Sequence, residues 1–480
     1  MTENGRGTPV PDYLNRWAAT QRWFASKGNV PALRSVARWS LPSAEPGVDI
    51  RTHLVIDTAG GDDTLYQLPL TERAVPLPTG ERALVAAVTD EDGRTRYFYD
   101  APYDPAYADA ILRVILNQGA SLDQEDAGGC ARGELLLGSP STPVYTVAAS
   151  RVLTGEQSNT SIIFDTTGAD GAPARPIICK VFRALHHGDN PDISVQAALA
   201  RAGSRFVPEP IGYVEGEWDD PGRPDGRARG YLAFAQEFLP GVEDAWRAAL
   251  TAASADEDFG REAHDLGVAT AAVHAVLAAV MPTREATPDV IATELAGIRE
   301  RYRSALAEIP ALAEHHVAIE AIFNRAQSAP WPRLQRIHGD YHLGQVLNVP
   351  GGRGWVLVDF EGEPLRPLED RTRPDVPLRD IAGMLRSFSY AAGAIELAHP
   401  ERPASTSLAW AAACRDAFLD GYAERSGLNL DAQTALLNTF ELDKALYEAV
   451  YETRNRPTWL PIPLAAIHRL VGLAAPPGRP

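Results

Sequence analysis

The stretch His338-Gly339-Asp340-Tyr341-His342-Leu343-Gly344-Gln345-Val346-Leu347 sets a carboxylate, Asp340, five residues before an amide, Gln345. A turn at Pro350-Gly351-Gly352 then leads into Trp355-Val356-Leu357-Val358-Asp359-Phe360, which predicts a strand ending in a second acid, with Glu361 close behind. Taken singly, Asp340 reads as a loop cap, Gln345 as a surface amide and Asp359 as a strand-end turn residue. Their order around a hairpin says more. Two carboxylates and one amide oxygen in this stretch suit a hard cation.

Working outward, the residues before this stretch are strand-rich and those around it helical. The first hundred open with a helical pattern around Tyr13, Leu14, Trp17 and Trp23, followed by strand-like His53–Ile56 and Arg96–Tyr99. A helix is expected from Ala106 to Leu116. Strands are then expected at Val144–Val147, Thr160–Phe164, Ile177–Phe182 and Tyr231–Leu239, forming one antiparallel sheet. After Pro240-Gly241, long stretches such as Asp265–Val280 and Ile291–Ala307 carry apolar residues at helical spacing, and Trp355–Phe360 is the one strand expected among them. Residues 218–228 read as an exposed loop and 475–480 as a frayed tail.

Composition narrows the class. With 480 residues the chain exceeds one hydrophobic core, and its 45% apolar content is that of a globular protein. A net charge of −18 without any Lys/Arg run excludes nucleic acid as a partner. Cys130, Cys179 and Cys414 are widely spaced, which suggests neither disulfides nor zinc. No apolar leader or run of about 18 apolar residues is evident, so no membrane partner and a cytoplasmic location are expected.

Phosphoryl transfer needs a group to orient the acceptor, oxygen ligands for Mg²⁺ and a cation on the triphosphate. Asp340 and Gln345 share the step between base and metal-binding amide in the protein-kinase catalytic loop, and Asp359-Phe360-Glu361 stands where that pattern has its Mg²⁺-binding Asp. Lys180 lies on an apolar strand where an ammonium needs an anion, and the phosphates of ATP supply one. A lysine reaching solvent from an edge strand is the alternative. In the turn Thr154–Thr160, Ser158 could face phosphates, and Glu237 and Leu239 end the last strand where backbone groups could pair with adenine. Near the C-terminus Tyr447, Glu448, Tyr451 and Glu452 recur at helical spacing before Asn455 and Trp459, a set suited to a sugar or, alternatively, to packing.

These motifs, with Gln21–Gly28, Pro377–Phe388 and Asn455–Leu464, closely resemble the maltokinases, which belong to an aminoglycoside-phosphotransferase-like group. The resemblance covers nearly the whole chain. It implies an α+β, bilobal protein-kinase-like fold: an N-terminal cap subdomain (1–105), a β-rich intermediate subdomain (106–241) and a mainly helical C-lobe (242–480). The implied reaction converts ATP and maltose to α-maltose 1-phosphate, feeding α-glucan synthesis and linked to trehalose metabolism, with a trehalose-isomerising enzyme as an associate.

By motif matching, Asp340 is the catalytic Asp. Gln345, Asp359 and Glu361 are the metal ligands and Lys180 binds phosphate, while His338 and His342 join the C-terminal set at the sugar. Where the family carries Asn-Pro-Asp-Val-Glu, this chain reads Asn190-Pro191-Asp192-Ile193-Ser194, leaving Lys180 to Asp192, Gln196 or the nucleotide. Glucosamine 6-kinases resemble maltokinases in the same motifs and are the alternative. A non-catalytic sugar-binding scaffold is a further one, and the intact Asp340, Gln345, Asp359 and Lys180 count against it.

Overall fold

A computed structural model describes residues 8–24, 31–59, 64–78, 80–122, 128–136, 146–153, 158–363 and 366–474. It divides into two compact units, residues 1–197 with 208–240 and residues 198–207 with 241–480.

The first unit begins with β1 (Thr8–Pro9), α1 (Asp12–Ala18), β2 (Leu33–Leu41), β3 (Val48–Asp57), β4 (Leu65–Arg73), β5 (Leu84–Thr89) and β6 (Thr95–Asp100). These strands form an antiparallel sheet ordered β1-β2-β3-β4-β6-β5. Alternation along β3 sends Val48, Ile50 and Leu54 to one face and Val55 to the other, where α1 packs Leu14 and Ala18. Next comes α2 (Pro105–Leu116), started by Pro105 and by the Asp104 carboxylate, which accepts from the Ala106 amide.

The second sheet comprises β7 (Gly129–Leu135), β8 (Thr146–Val152), β9 (Asn159–Thr167), β10 (Ile177–Phe182), β12 (Pro210–Asp219) and β13 (Arg227–Glu237), in the order β7-β12-β13-β10-β9-β8 and wholly antiparallel, as expected. The short β11 (Ala184–Leu185) pairs instead with β4, and α3 (Pro191–Arg201) follows it. Trp218 pairs with Ala228 and Asp219 with Arg227, so the expected loop at 218–228 is a strand pair closed by a turn at 220–226. Its Pro/Gly content marks only the turn.

Both sheets share one core around α2, from Trp39 and Ile50 to Phe164 and Phe234. Gln67 of β4 donates to the carbonyls of Phe182 (2.7 Å) and Leu232 (2.9 Å), and fully buried Arg183 pairs with Asp100 at 2.7 Å. Residues 1–105 and 106–240, apart from 198–207, therefore pack as one body with a shared core, beside a smaller cluster under α1 that belongs to the first sheet alone.

The second unit contains β14 (Glu243–Asp244), α4 (Ala245–Ala255), α5 (Gly260–Val280), α6 (Pro288–Glu308), α7 (His316–Gln327), β15 (Val346–Val349), β16 (Gly354–Leu357), α8 (Leu368–Thr372), α9 (Leu378–Ala398), α10 (Ala404–Ser426), α11 (Leu430–Asn455) and α12 (Pro461–Ala474). The expected lone strand is one of three, β14-β15-β16. It stops at Leu357, two residues before Asp359 takes a left-handed φ of 67°. Among the described residues, α5 alone is long and apolar enough to cross a membrane, which the sequence reading did not anticipate. Its Ala263, Leu266 and Val273 are buried in the core, and its Gly267 lies against the α10 backbone.

Val144, Tyr145, Thr154–Gln157, Ala25–Gly28, Pro364 and residues 475–480 lie outside the described residues.

Candidate active site

Asp340 follows Gly339, whose φ of 85° is open to glycine at little cost. A Cβ on Gly339 would meet the Cα of Gly362, itself at φ 73°, at 3.2 Å. The Asp340 loop and the loop after Asp359 therefore approach each other glycine to glycine. Asp380 of α9 holds the first of them by its backbone, accepting from the amides of His338 (Oδ2, 2.7 Å) and Gly339 (Oδ1, 2.9 Å). Only 2% exposed, Asp380 is itself fixed by His274 Nε2 at 3.0 Å, while His274 Nδ1 lies 3.0 Å from the Tyr422 hydroxyl. Tyr341 is pinned to Thr270 at 2.8 Å, and the Leu343 amide donates to Ser387.

Held this way, the Asp340 carboxylate meets Lys444 of α11, with Nζ 3.2 Å from Oδ1. Burial pushes the Asp340 carboxyl up, but Lys444 and the neighbouring His342 outweigh it and leave the group below the usual carboxylate range. For Lys444 burial acts downward, and the Asp340, Glu363 and Glu448 carboxylates raise it on balance. Both groups line a cavity with Tyr341, Glu363, Asp443 and Tyr447. Asp443 is secured by Arg301 (2.6 Å) and Arg379 (3.0 Å). Among the described residues, no hydrogen bond or ion pair holds the Glu363 carboxylate.

Across the hairpin, Gln345 Nε2 donates to Asp359 Oδ2 at 2.8 Å, joining two of the expected metal ligands. The Gln345 amide oxygen accepts no hydrogen bond among the described residues. An amide oxygen beside a carboxylate, with Glu361 two residues on, is the donor set that Mg²⁺ prefers. Glu361 is half-buried, and its carbonyl accepts from Arg371.

In the sheet unit, the Lys180 ammonium lies 2.9 Å from Asp192 Oδ2 on α3, and Gln196 donates to the other oxygen of that carboxylate at 2.7 Å. Asp192 thus takes the part left open by Ser194. Ser158 is exposed at the start of β9. The Glu237 amide donates to the Glu209 carbonyl, and Leu239 is a half-buried loop residue beyond the strand.

The expected sugar residues divide. Tyr447 lines the Asp340 cavity, and half-buried His342 caps the turn after it by accepting from the Gly344 amide. His338 is only 2% exposed, its Nε2 2.9 Å from the Val358 carbonyl and its ring 4.7 Å from Phe360, so it braces the two loops together. Glu448 is bound to buried Arg386 at 2.8 Å, and Glu452 to Arg456 and the Tyr390 hydroxyl. Asn455 donates to the Tyr451 carbonyl of its own helix, exposed Tyr451 lies under Arg456, and Trp459 stacks on Tyr390. Packing accounts for this latter group.

Sequence reasoning passed over Lys444, Asp380 and Glu363 as individuals. A signal for Lys444 was present. The chain has three lysines, Lys27, Lys180 and Lys444, among 45 cationic residues, and two of them face the carboxylates of Asp192 and Asp340.

Residues 17–104 match the maltokinase N-terminal cap domain family, and residues 152–430 match the phosphotransferase enzyme family. A glucosamine kinase from Streptacidiphilus jiangxiensis is 27% identical over 349 residues, covering 67% of this chain and 73% of that protein. One from Mycolicibacterium smegmatis is 27% identical over 405 residues, covering 81% and 93%. The solved structure of a glucosamine kinase in complex with glucosamine, ADP and inorganic phosphate superposes with a TM-score of 0.63 at 22% identity, over 95% of this chain and 98% of its own. At that identity the likeness concerns the fold, which is the expected α+β kinase-like one. Since residues 152–430 alone exceed half of the chain, it belongs to the phosphotransferase enzyme family, with a maltokinase-type cap at its N-terminal side.

Proposed function

We propose that the chain is an ATP-dependent sugar kinase in which Asp340 receives the proton of the acceptor hydroxyl as that oxygen attacks the γ-phosphorus and ADP departs. The carrying observation is the Asp340 carboxylate kept ionised by Lys444 at the wall of a cavity. A base must be unprotonated to accept, and its loop must not drift; the Asp380 clamp supports the second requirement. Mg²⁺, held by Asp359 and Gln345 with Glu361 assisting, would neutralise charge on the phosphates. Lys180, oriented by Asp192, is the cation proposed for the α- and β-phosphates.

For the acceptor, glucosamine is the reading we favour. Glu363, whose carboxylate makes no hydrogen bond or ion pair among the described residues, lines the Asp340 cavity and suits an ammonium group, and the relatives at 27% identity are glucosamine kinases. Maltose is the second reading, supported by the motifs around Asp340 and Asn455 and by the cap. The cap discriminates little, because the glucosamine kinase fold matches 95% of this chain.

The test is ADP release with glucosamine, maltose, glucose and aminoglycosides in turn. Glucosamine-dependent release is expected, lowered about 10²–10⁴-fold in Asp340→Asn with nucleotide affinity retained. Release with maltose alone would move the assignment to the second reading. Near-native turnover in folded Asp340→Asn removes Asp340 from the chemistry.

A further inference from the structure

The cap sheet has one face that α1 covers only in part. Antiparallel register sets His53 between Arg38 and Leu68, Arg51 between Ser40 and Leu70, and Asp49 opposite Glu72, which in turn faces Phe98. Directly opposed residues share a face, so these side chains continue the surface on which Val55, Leu68 and Leu70 form the core under α1. At that point the sequence changes from apolar to polar. The result is a cavity of about 300 Å³, within the range of small-ligand pockets.

Arg51 and His53 are half-buried in it, and Tyr13 stacks on Phe98 at its wall with ring centroids 5.4 Å apart. Among the described residues, no hydrogen bond or ion pair is made by the side chains of Arg38, Asp49, Arg51 or His53. Arg38 and Asp49 are exposed at the cavity rim, but Arg51 and His53 are half-buried, and half-buried polar groups that the described residues leave unsatisfied are costly unless something else satisfies them. Burial, with Arg51 and then Arg38 adding to it, lowers the His53 imidazole to about 4, so at neutral pH it both donates and accepts. An anion would meet the guanidinium groups but also the Asp49 and Glu72 carboxylates. A polyol needs donors, acceptors and an aromatic face together, and all three are present.

We propose that this cap cavity is a second binding site, for a neutral saccharide, whose hydroxyls meet Arg51, His53 and Asp49 and whose C–H face meets Tyr13 and Phe98. It shares no residue with the Asp340 cavity. Its occupancy is therefore separable from turnover, whatever the acceptor.

Equilibrium dialysis of the full chain against radiolabelled maltotriose, with glucosamine and unlabelled maltose each saturating in separate runs, provides the test. One equivalent of maltotriose is expected to remain bound under saturating glucosamine. The double variant Arg51→Ala/His53→Ala should weaken it at least tenfold while kinase turnover stays within twofold of native. The milder Arg51→Lys/His53→Gln variant guards against misfolding and should show an intermediate loss. No bound maltotriose, undiminished binding in both variants, or displacement by millimolar inorganic phosphate would overturn the proposal, the last by making the cavity an anion site.

Discussion

Asp340 and Lys444 form an ion pair in which each partner changes what the other can do. Burial alone would hold the carboxyl up, and the ammonium 3.2 Å away holds it down. A group with a depressed pKa stays ionised until pH falls through the lowered value, so Asp340, as the proposed base, should stay ionised well into mild acid. Replacing Lys444 by Met removes the opposing charge and leaves burial to act. The acidic limb of the kcat/KM profile is then expected to move to higher pH, with a rate deficit that narrows as pH rises. A pH–rate profile with an unmoved acidic limb would mean that Lys444 does not set the ionisation of Asp340. At this scale the sequence singled out Asp340, Gln345 and Asp359 as candidates because they lie within one short stretch, which the structure folds into neighbouring loops. Lys444 escaped because its partner is more than a hundred residues away, and only the scarcity of lysine marked it. Glu448 and Glu452 misled for a related reason: helical spacing identifies a shared face but not the Arg386 and Arg456 groups that occupy it.

Elements approach the Asp340 loop through positions where a side chain has no room. On α9, three residues after the Asp380 clamp, a Cβ at Gly383 would lie 2.4 Å from the Tyr341 carbonyl oxygen. Either the helix or the loop must shift to admit it. Substituting Ala is expected to destabilise the protein by about 1–3 kcal/mol, and to lower kcat more than it raises the KM for nucleotide, since the displaced residues adjoin Asp340. Denaturant unfolding and steady-state kinetics on Gly383→Ala read the two effects separately, and native kcat in the variant would show that the loop tolerates the shift. Similar crowding joins α5 to α10, where Cβ atoms on Gly267 and Gly421 would each lie 2.1 Å from a carbonyl oxygen of the other helix. Helices such as α5 and α6 were legible because apolar periodicity is local. Strands β12 and β14 were not: β12 is fixed by its pairing with β7 and β13, and β14 by two residues laid against β15. The early end of β16 likewise depends on the backbone of Asp359.

For the whole molecule, the contested question is whether the cap is an appendage. The family resemblance implied a cap subdomain over 1–105, and residues 17–104 match a cap family by themselves. In the structure, however, Trp39, Ile50 and Leu54 share one core with Phe164, Val181 and Phe234, and α2 is buried among them. Arg183, fully buried, depends on Asp100 for its charge partner, and removing one member of a buried pair typically costs about 3–5 kcal/mol. Losing the first sheet would also strip Gln67 from the carbonyls of Phe182 and Leu232 and expose one face of α2. Those losses together are comparable with the roughly 5–15 kcal/mol by which folded domains are stable. A chain beginning at Pro105 is therefore expected not to give a natively packed first unit: near-UV circular dichroism should lack the signal of fixed aromatics, and the thermal transition of that unit should disappear. The cap expressed alone should fail in the same way, because its α2-facing side, with Val48, Ile50 and Leu54, would be bare. A cooperative melt from either fragment, with native near-UV bands, would mean that the two sheets fold independently and that their common core forms afterwards.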